Sequence, residues 1–129
     1  MSMNIYESAE DYLEAILMIQ ERKGNVRSID IAEEKNFSKA SVSIAMKKLR
    51  ENGYISMDKD GSIRLLPPGK EIAERIYERH QAFARWFVQL GVDEKTAQED
   101  ACRIEHGLSD VTFAKVKEFI ETHILAQDK

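Results

Sequence analysis

Residues 28–55 read SIDIAEEKNFSKASVSIAMKKLRENGYI. Ser28 is expected to cap a short helix that carries Ile29, Ile31 and Ala32. The break at Lys35-Asn36-Phe37 is followed by Ser38, a second N-cap candidate, since a serine hydroxyl can accept from an orphan backbone N–H of the first turn. Val42, Ala45, Met46 and Leu49 then recur at helical spacing and predict a longer helix with one buried face, ended by Gly53. A short helix, a tight turn and a second capped helix make the helix-turn-helix pattern. From Tyr54 the period changes. YISMDKDGSIRLLPPG reads as strand, turn, strand, with Asp60-Gly61 as the turn signal, and this predicts the wing of a winged helix.

Working outward, Ser8 to about Arg22 is expected to form a helix. Ser8 is the N-cap candidate, and Glu10 and Asp11 sit in the first turn, where the helix dipole favours acids. Tyr12, Ile16 and Ile19, flanked by Leu13 and Leu17, form its apolar stripe, and Lys23-Gly24-Asn25 ends it. Downstream, Pro68 opens a long helix to about Leu90, with Ile72, Ile76, His80, Phe83, Phe87 and Leu90 on one stripe and Gly91 as the stop. A further helix is expected from Asp93 to Leu108, and a last one from Ser109, its cap, to Leu125. The fold class is therefore mainly α. A winged helix-turn-helix DNA-binding domain is expected over residues 1–67 and a helical metal-binding and dimerisation domain over residues 68–129.

Composition narrows the function. With 129 residues, 43% of them apolar, the chain suits one domain or two small ones sharing a core. The 33% of charged residues points to a soluble, helix-rich protein. No apolar run approaches the roughly 20 residues of a membrane span. The acidic start MSMNIYESAEDY lacks the basic and apolar regions of a signal peptide. A single cysteine excludes an internal disulfide and fits a reducing compartment, so a cytoplasmic protein is expected, with no membrane partner. The formal charge of −4 excludes a globally basic nucleic-acid binder. A local basic patch does exist. Lys35, Lys39, Lys47, Lys48 and Arg50 fall in one stretch without an acid. On the second helix of the pair, Ser38, Lys39, Ala40, Ser41 and Ser43 are placed toward base edges and Lys47 and Lys48 toward phosphates, and Arg64 on the wing is placed toward the backbone or minor groove. Lysines on a lone helix are usually a solvated face; on a helix-turn-helix with a wing they point to DNA.

DACRIEHGLSD, residues 100–110, holds the one cysteine. Cys102, Glu105 and His106 lie at i, i+3 and i+4, so a helix would present a thiol, a carboxylate and an imidazole together. Each has a bland reading: a small buried thiol, a solvated acid, a satisfied interior histidine. His80 lies among apolar residues of the long helix, and Asp11 and Glu14 share an edge of the first. Three helices thus offer ligand types at one-face spacing. Mixed nitrogen, oxygen and sulfur donors suit a first-row divalent transition metal rather than calcium or magnesium. The spacing matches neither a zinc finger nor a zinc hydrolase. Nothing supplies a nucleophile or general base apart from these ligands, so an enzyme is not expected.

Through SAEDYLEAI, VRSIDIAEEKNFSKASVSIAMKKLRENGYI and ERHQAFARWFVQLGVDEKTAQEDACRIEHGLS, the chain resembles the diphtheria-toxin-repressor and manganese-transport-regulator (DtxR/MntR) family of metal-dependent transcriptional repressors. The resemblance implies a winged helix joined to a helical dimerisation domain with metal between them, in the short form that lacks an SH3-like domain. It implies Asp11, Glu14, His80, Cys102, Glu105 and His106 as metal ligands. It implies activation by Fe(II) or Mn(II), with Zn(II), Co(II) or Ni(II) able to bind in vitro. The set is a hybrid, since manganese sensors carry an acid at the place of Asp11 and a glutamate at that of Cys102, whereas iron sensors carry methionine and cysteine. Ala84 and Gln98 stand where the iron branch places a glutamate and a histidine of an ancillary site. The resemblance also implies a homodimer on pseudo-palindromic operator DNA, repression of metal-homeostasis genes, and a metal that sets the spacing of the two recognition helices. Val111, Phe113, Val116, Phe119 and Ile120 are expected to divide between core and two-fold interface. The competing reading is a winged-helix regulator that senses an organic ligand.

Overall fold

The computed structural model describes residues 7–124. It divides into two compact units, residues 1–75 and 76–129, with the division inside a helix. The first unit opens with α1 (Glu7–Lys23), α2 (Ser28–Lys35) and α3 (Lys39–Glu51) and continues into strands β1 (Ile55–Met57) and β2 (Ile63–Leu65). The expected apolar stripe of α1 is buried, with Leu13, Ile16 and Ile19 fully so, and α1 packs against α2, α3 and β2.

The N-cap of α2 is Arg27, not the expected Ser28. The Asp30 carboxylate accepts from the Arg27 N–H at 2.9 Å, so the acid satisfies the end of the helix and Ser28 becomes its first residue. Asn36 ends α2 in the left-handed region at φ 56°, a conformation that asparagine tolerates better than most residues. Ser38 caps α3 as expected: its hydroxyl accepts from the Ser41 N–H at 3.1 Å. Val42, Met46 and Leu49 are buried, and Ala45 is half-buried.

The wing pairs antiparallel, with Ile55 opposite Leu65, Ser56 opposite Arg64 and Met57 opposite Ile63. Its turn includes Asp60 and Gly61, the latter at φ 87°. The Ile63 N–H also donates to the Val26 carbonyl at 2.8 Å, which ties β2 to the segment between α1 and α2. Helix α4 (Pro67–Gln89) follows, beginning one residue earlier than expected. Gly69 in its first turn lies so close to Tyr54 that a Cβ would collide with the Tyr54 carbonyl oxygen.

The second unit comprises the rest of α4, then α5 (Glu94–Ile104), α6 (Asp110–Phe119) and a π-helical turn over Ile120–Ile124. Leu125, the expected end of the last helix, lies outside the described residues. Asp93 caps α5 by accepting from the Thr96 N–H at 3.0 Å, and Ser109 caps α6 by accepting from the Thr112 N–H at 3.2 Å. Phe83, Ala84, Ala101 and Phe113 form the core, with Trp86, Phe87, Leu108 and Val116 packed against it. Leu90 does not join the stripe of α4. The helix stops at Gln89, the chain turns through Gly91 at φ 102°, and Leu90 is left exposed. Of the late apolar residues, Phe113 and Ile120 are buried and Val116 is half-buried, while Val111 and Phe119 face outward.

Candidate metal centre and nucleic-acid interface

In the second unit, α4 presents His80 to the end of α5. Cys102 lies in the last turn of α5, Glu105 is its C-cap, and His106 follows. The His80 Nδ1 is 3.0 Å from Glu105 Oε2 and 3.6 Å from Cys102 Sγ. One donor atom from each of His80, Cys102 and Glu105 lies within 4.8 Å of the others. First-row ions sit about 2.0–2.3 Å from such donors, so the three can share one ion with small side-chain shifts. The second oxygen of Glu105 is buried and accepts no hydrogen bond; the His106 Nε2 approaches it at 3.4 Å, an ion-pair contact. A fully buried carboxylate with an unsatisfied oxygen is costly unless a cation completes it. The donor set and that oxygen therefore fit a divalent transition metal. The metal would supply the charge that lets thiolate, carboxylate and imidazole stay packed together.

Two residues that the sequence reading does not assign to this site support it. Gln98 Oε1 contacts the other ring nitrogen of His80, Nε2, at 2.5 Å. This is the arrangement in which a ligating histidine is oriented through its second nitrogen. Arg79 is fully buried. Its Nη1 donates to the carbonyls of Glu105 (3.1 Å) and Leu108 (2.5 Å), and its Nη2 to Asp110 Oδ1 at 2.6 Å. Its guanidinium also lies 5.1 Å from the centre of the Phe113 ring. Arg79 thus clamps the turn that carries Glu105 and His106. A signal for it exists in the sequence: with Ile76, His80 and Phe83, Arg79 occupies the i, i+3, i+4, i+7 stripe, where a charge is out of place.

Burial works against a charged His80. The Cys102, Glu105 and Gln98 side chains around the ring outweigh it and push the imidazole up to about 11. Ala84 is buried in the apolar core and offers no donor.

In the first unit, Asp11 and Glu14 lie one turn apart on α1, Asp11 half-buried and Glu14 fully buried. Helix α3 exposes Lys39, Ala40, Ser41, Ser43, Lys47 and Lys48. Ser38 is occupied as the cap, and its hydroxyl also donates to the Ser41 hydroxyl at 2.9 Å. Arg64 on the wing is exposed and pairs with Asp58 at 3.0 Å. Such a surface pair is worth at most about 1 kcal/mol, so a phosphate can compete for the guanidinium. Ile44, absent from the expected set, stands exposed among these residues.

Residues 4–63 match the family described as the iron dependent repressor N-terminal DNA binding domain, and residues 67–123 match the iron dependent repressor metal binding and dimerisation domain. Relatives extend along the same span. An uncharacterized HTH-type transcriptional regulator of Methanocaldococcus jannaschii is 38% identical, the match covering 89% of this chain and 94% of the relative. The HTH-type transcriptional regulator MntR of Bacillus pumilus is 34% identical, covering 88% of this chain and 79% of the relative. The chain belongs to the DtxR/MntR family of metal-dependent transcriptional repressors. Its members are DNA-binding regulators, not enzymes.

Solved members of the DtxR/MntR fold superpose well. A manganese-dependent transcriptional repressor in complex with manganese gives a TM-score of 0.79 at 27% identity over 88% of this chain. The IdeR of T. acidophilum gives 0.77 at 26% identity over 93%. The chain spans about half the length of these two, 52% and 56% respectively. Among the described residues, no helix is long and apolar enough to cross a membrane.

Proposed function

We propose that this DtxR/MntR-family chain binds operator DNA as a homodimer when loaded with Fe(II) or Mn(II), and so represses genes of metal homeostasis in the cytoplasm. The observation that carries this reading is the His80–Cys102–Glu105 cluster, its imidazole and carboxylate buried and its thiol half-buried, whose donor types suit a first-row transition metal. Residues 1–67 serve DNA binding and residues 68–129 serve metal binding and dimerisation, a division supported by the adjacent spans of the two matching families. The ligand set is His80, Cys102, Glu105 and His106, completed by Asp11 and Glu14. The geometry around Glu105 supports the first four; the family motif and the burial of Glu14 support the other two. Metal binding fixes the ligand-bearing elements. That fixes the distance between the recognition helices of a dimer, which must match half-sites about 34 Å apart on a pseudo-palindrome. The exposed Val111 and Phe119 supply apolar surface for the two-fold contact.

Ser38, Lys39, Ala40, Ser41 and Ser43 approach bases, while Lys47, Lys48 and Arg64 approach phosphates. The soft thiolate of Cys102 tilts the site toward Fe(II); the hard carboxylate of Asp11 favours Mn(II). Zn(II), Co(II) and Ni(II) are expected to bind in vitro. The test is an anaerobic titration of a duplex selected from a random-sequence library, with each metal separately and with chelator. Tight binding only with metal supports the reading, and equal binding with chelator contradicts it. Cys102→Glu should lower the ratio of iron to manganese activation; an unchanged ratio returns Cys102 to the role of a core thiol.

A further inference from the structure

Helix α3 carries a residue that neither fold nor charge explains. Val42, Met46 and Leu49 define its buried stripe. Ala40, Ile44 and Lys47, at i, i+4 and i+7, lie on the opposite side. Ile44 is therefore at the centre of the outward face, and it is 58% exposed. It sits within a basic surface, with Lys47 beside it and Lys39, Lys48 and Arg50 on the same helix, all exposed. Ile44 lines a surface depression together with Ser43, Lys47, Arg50 and Met57.

An aliphatic group in the middle of a cationic surface fits a polyanion that also offers an apolar group. The major groove of DNA has that combination: phosphates at its edges and, on its floor, the C5-methyl of thymine, the one apolar group a base pair presents there. A protein partner with an acidic, apolar surface is the competing occupant. The small residues flanking Ile44, Ala40 and Ser43, favour the groove, because they leave the isoleucine as the most protruding apolar group on that face.

We propose that Ile44 reads a thymine by packing against its C5-methyl group in the major groove. This rests on the DNA-binding reading above and adds a specificity-determining residue to it. Sequence preference would then come partly from apolar contact, while the surrounding lysines add affinity without preference.

The test uses the metal-loaded full chain and a duplex selected from a random-sequence library. Each thymine is replaced in turn by deoxyuridine, which removes only the methyl and keeps base pairing. Loss of one buried methyl should weaken wild-type binding about three- to five-fold at one thymine per half-site. Ile44→Ala, at an exposed position where folding is little affected, should bind the thymine and deoxyuridine duplexes equally. Ile44→Gln should likewise lose the discrimination. Wild-type indifference to every replacement overturns the inference while leaving the DNA-binding reading intact. Discrimination that persists in Ile44→Ala also overturns it. If Ile44→Ala changes the sedimentation of the free protein but not the thymine effect, Ile44 belongs to a protein contact and the inference fails. Absence of any duplex binding by the wild type, with every metal, overturns both readings.

Discussion

The two units handle buried charge differently. The first turns an isoleucine outward in the middle of a basic helix face and buries the carboxylates of Glu10 and Glu14 on α1, while the second buries an arginine, a histidine and a glutamate against one another. Burying charge is costly unless each group is paired, and exposing one aliphatic side chain costs little. The buried charge is therefore the stronger functional signal. In the second unit the buried polar residues divide the work among them. Arg79 ties the turn, His80 and Glu105 face each other, and one buried oxygen of Glu105 accepts no hydrogen bond. In the first unit the fully buried carboxylate is Glu14 on α1, and the basic face of α3 stays open to a ligand that is itself a surface.

The largest effect should come from Arg79→Ala. It strips the Glu105 and Leu108 carbonyls of their donor and opens a cavity beside Phe113. A loss of about 3 kcal/mol or more is expected in urea unfolding. A loss under about 1 kcal/mol would show that the inward charge holds nothing together.

Glu105→Gln keeps the shape and removes the buried negative charge. Metal affinity by anaerobic calorimetry should fall about 100-fold or more, beyond what loss of a supporting group alone usually costs. Unchanged affinity would remove Glu105 from the site. The metal-free protein should be less stable than the wild type, since the buried His80 imidazolium loses its carboxylate partner at 3.0 Å.

A third effect concerns pH. His80 holds its proton in the metal-free protein up to about 11, against 6.5 for an ordinary imidazole. A metal must displace that proton, so affinity should rise about ten-fold per pH unit for the proton on His80 as pH increases through neutrality. Stability has the opposite sign. The raised value means the imidazolium's contribution is fully present below 6.5 and is lost as pH rises through about 11. Metal-free protein should therefore lose stability on alkalinisation, and His80→Gln should not show that dependence.

The smallest effect belongs to the outward face. Lys47→Ala should weaken DNA binding on all sequences alike and reduce the salt slope by about 1, as expected for one lost phosphate contact. A change in sequence preference instead would place Lys47 on a base edge.

Much of the fold is legible in the sequence because its determinants are local. The caps Ser38 and Ser109, the stripe of α1 and the Asp60-Gly61 turn all act within a few residues of themselves. The cap of α2 is misplaced by sequence because a serine competes with a side chain that works from inside the helix, Asp30. The end of α4 is placed one residue late, since Leu90 continues the apolar pattern after the hydrogen bonding stops. In the site, Cys102, Glu105 and His106 are visible as a spacing, and His80 as an imidazole on an apolar stripe. Arg79 shows in the sequence only as a charge out of place on the α4 stripe, and Gln98 not as a partner of His80, because their partners lie 26 and 18 residues away in the chain. Ile44 escapes such a reading, because its meaning lies in exposure, which a sequence shows only by contrast with its helical neighbours.

Metal and DNA must help each other if the two units are coupled as proposed. The direct measurement is the reciprocal one: duplex affinity with and without saturating Mn(II) or Fe(II), and metal affinity with and without the selected duplex, all anaerobic. Coupling predicts that both affinities rise, and by the same factor, and that Glu105→Gln abolishes the duplex effect of metal. Duplex affinity that is equal in metal and in chelator would contradict it.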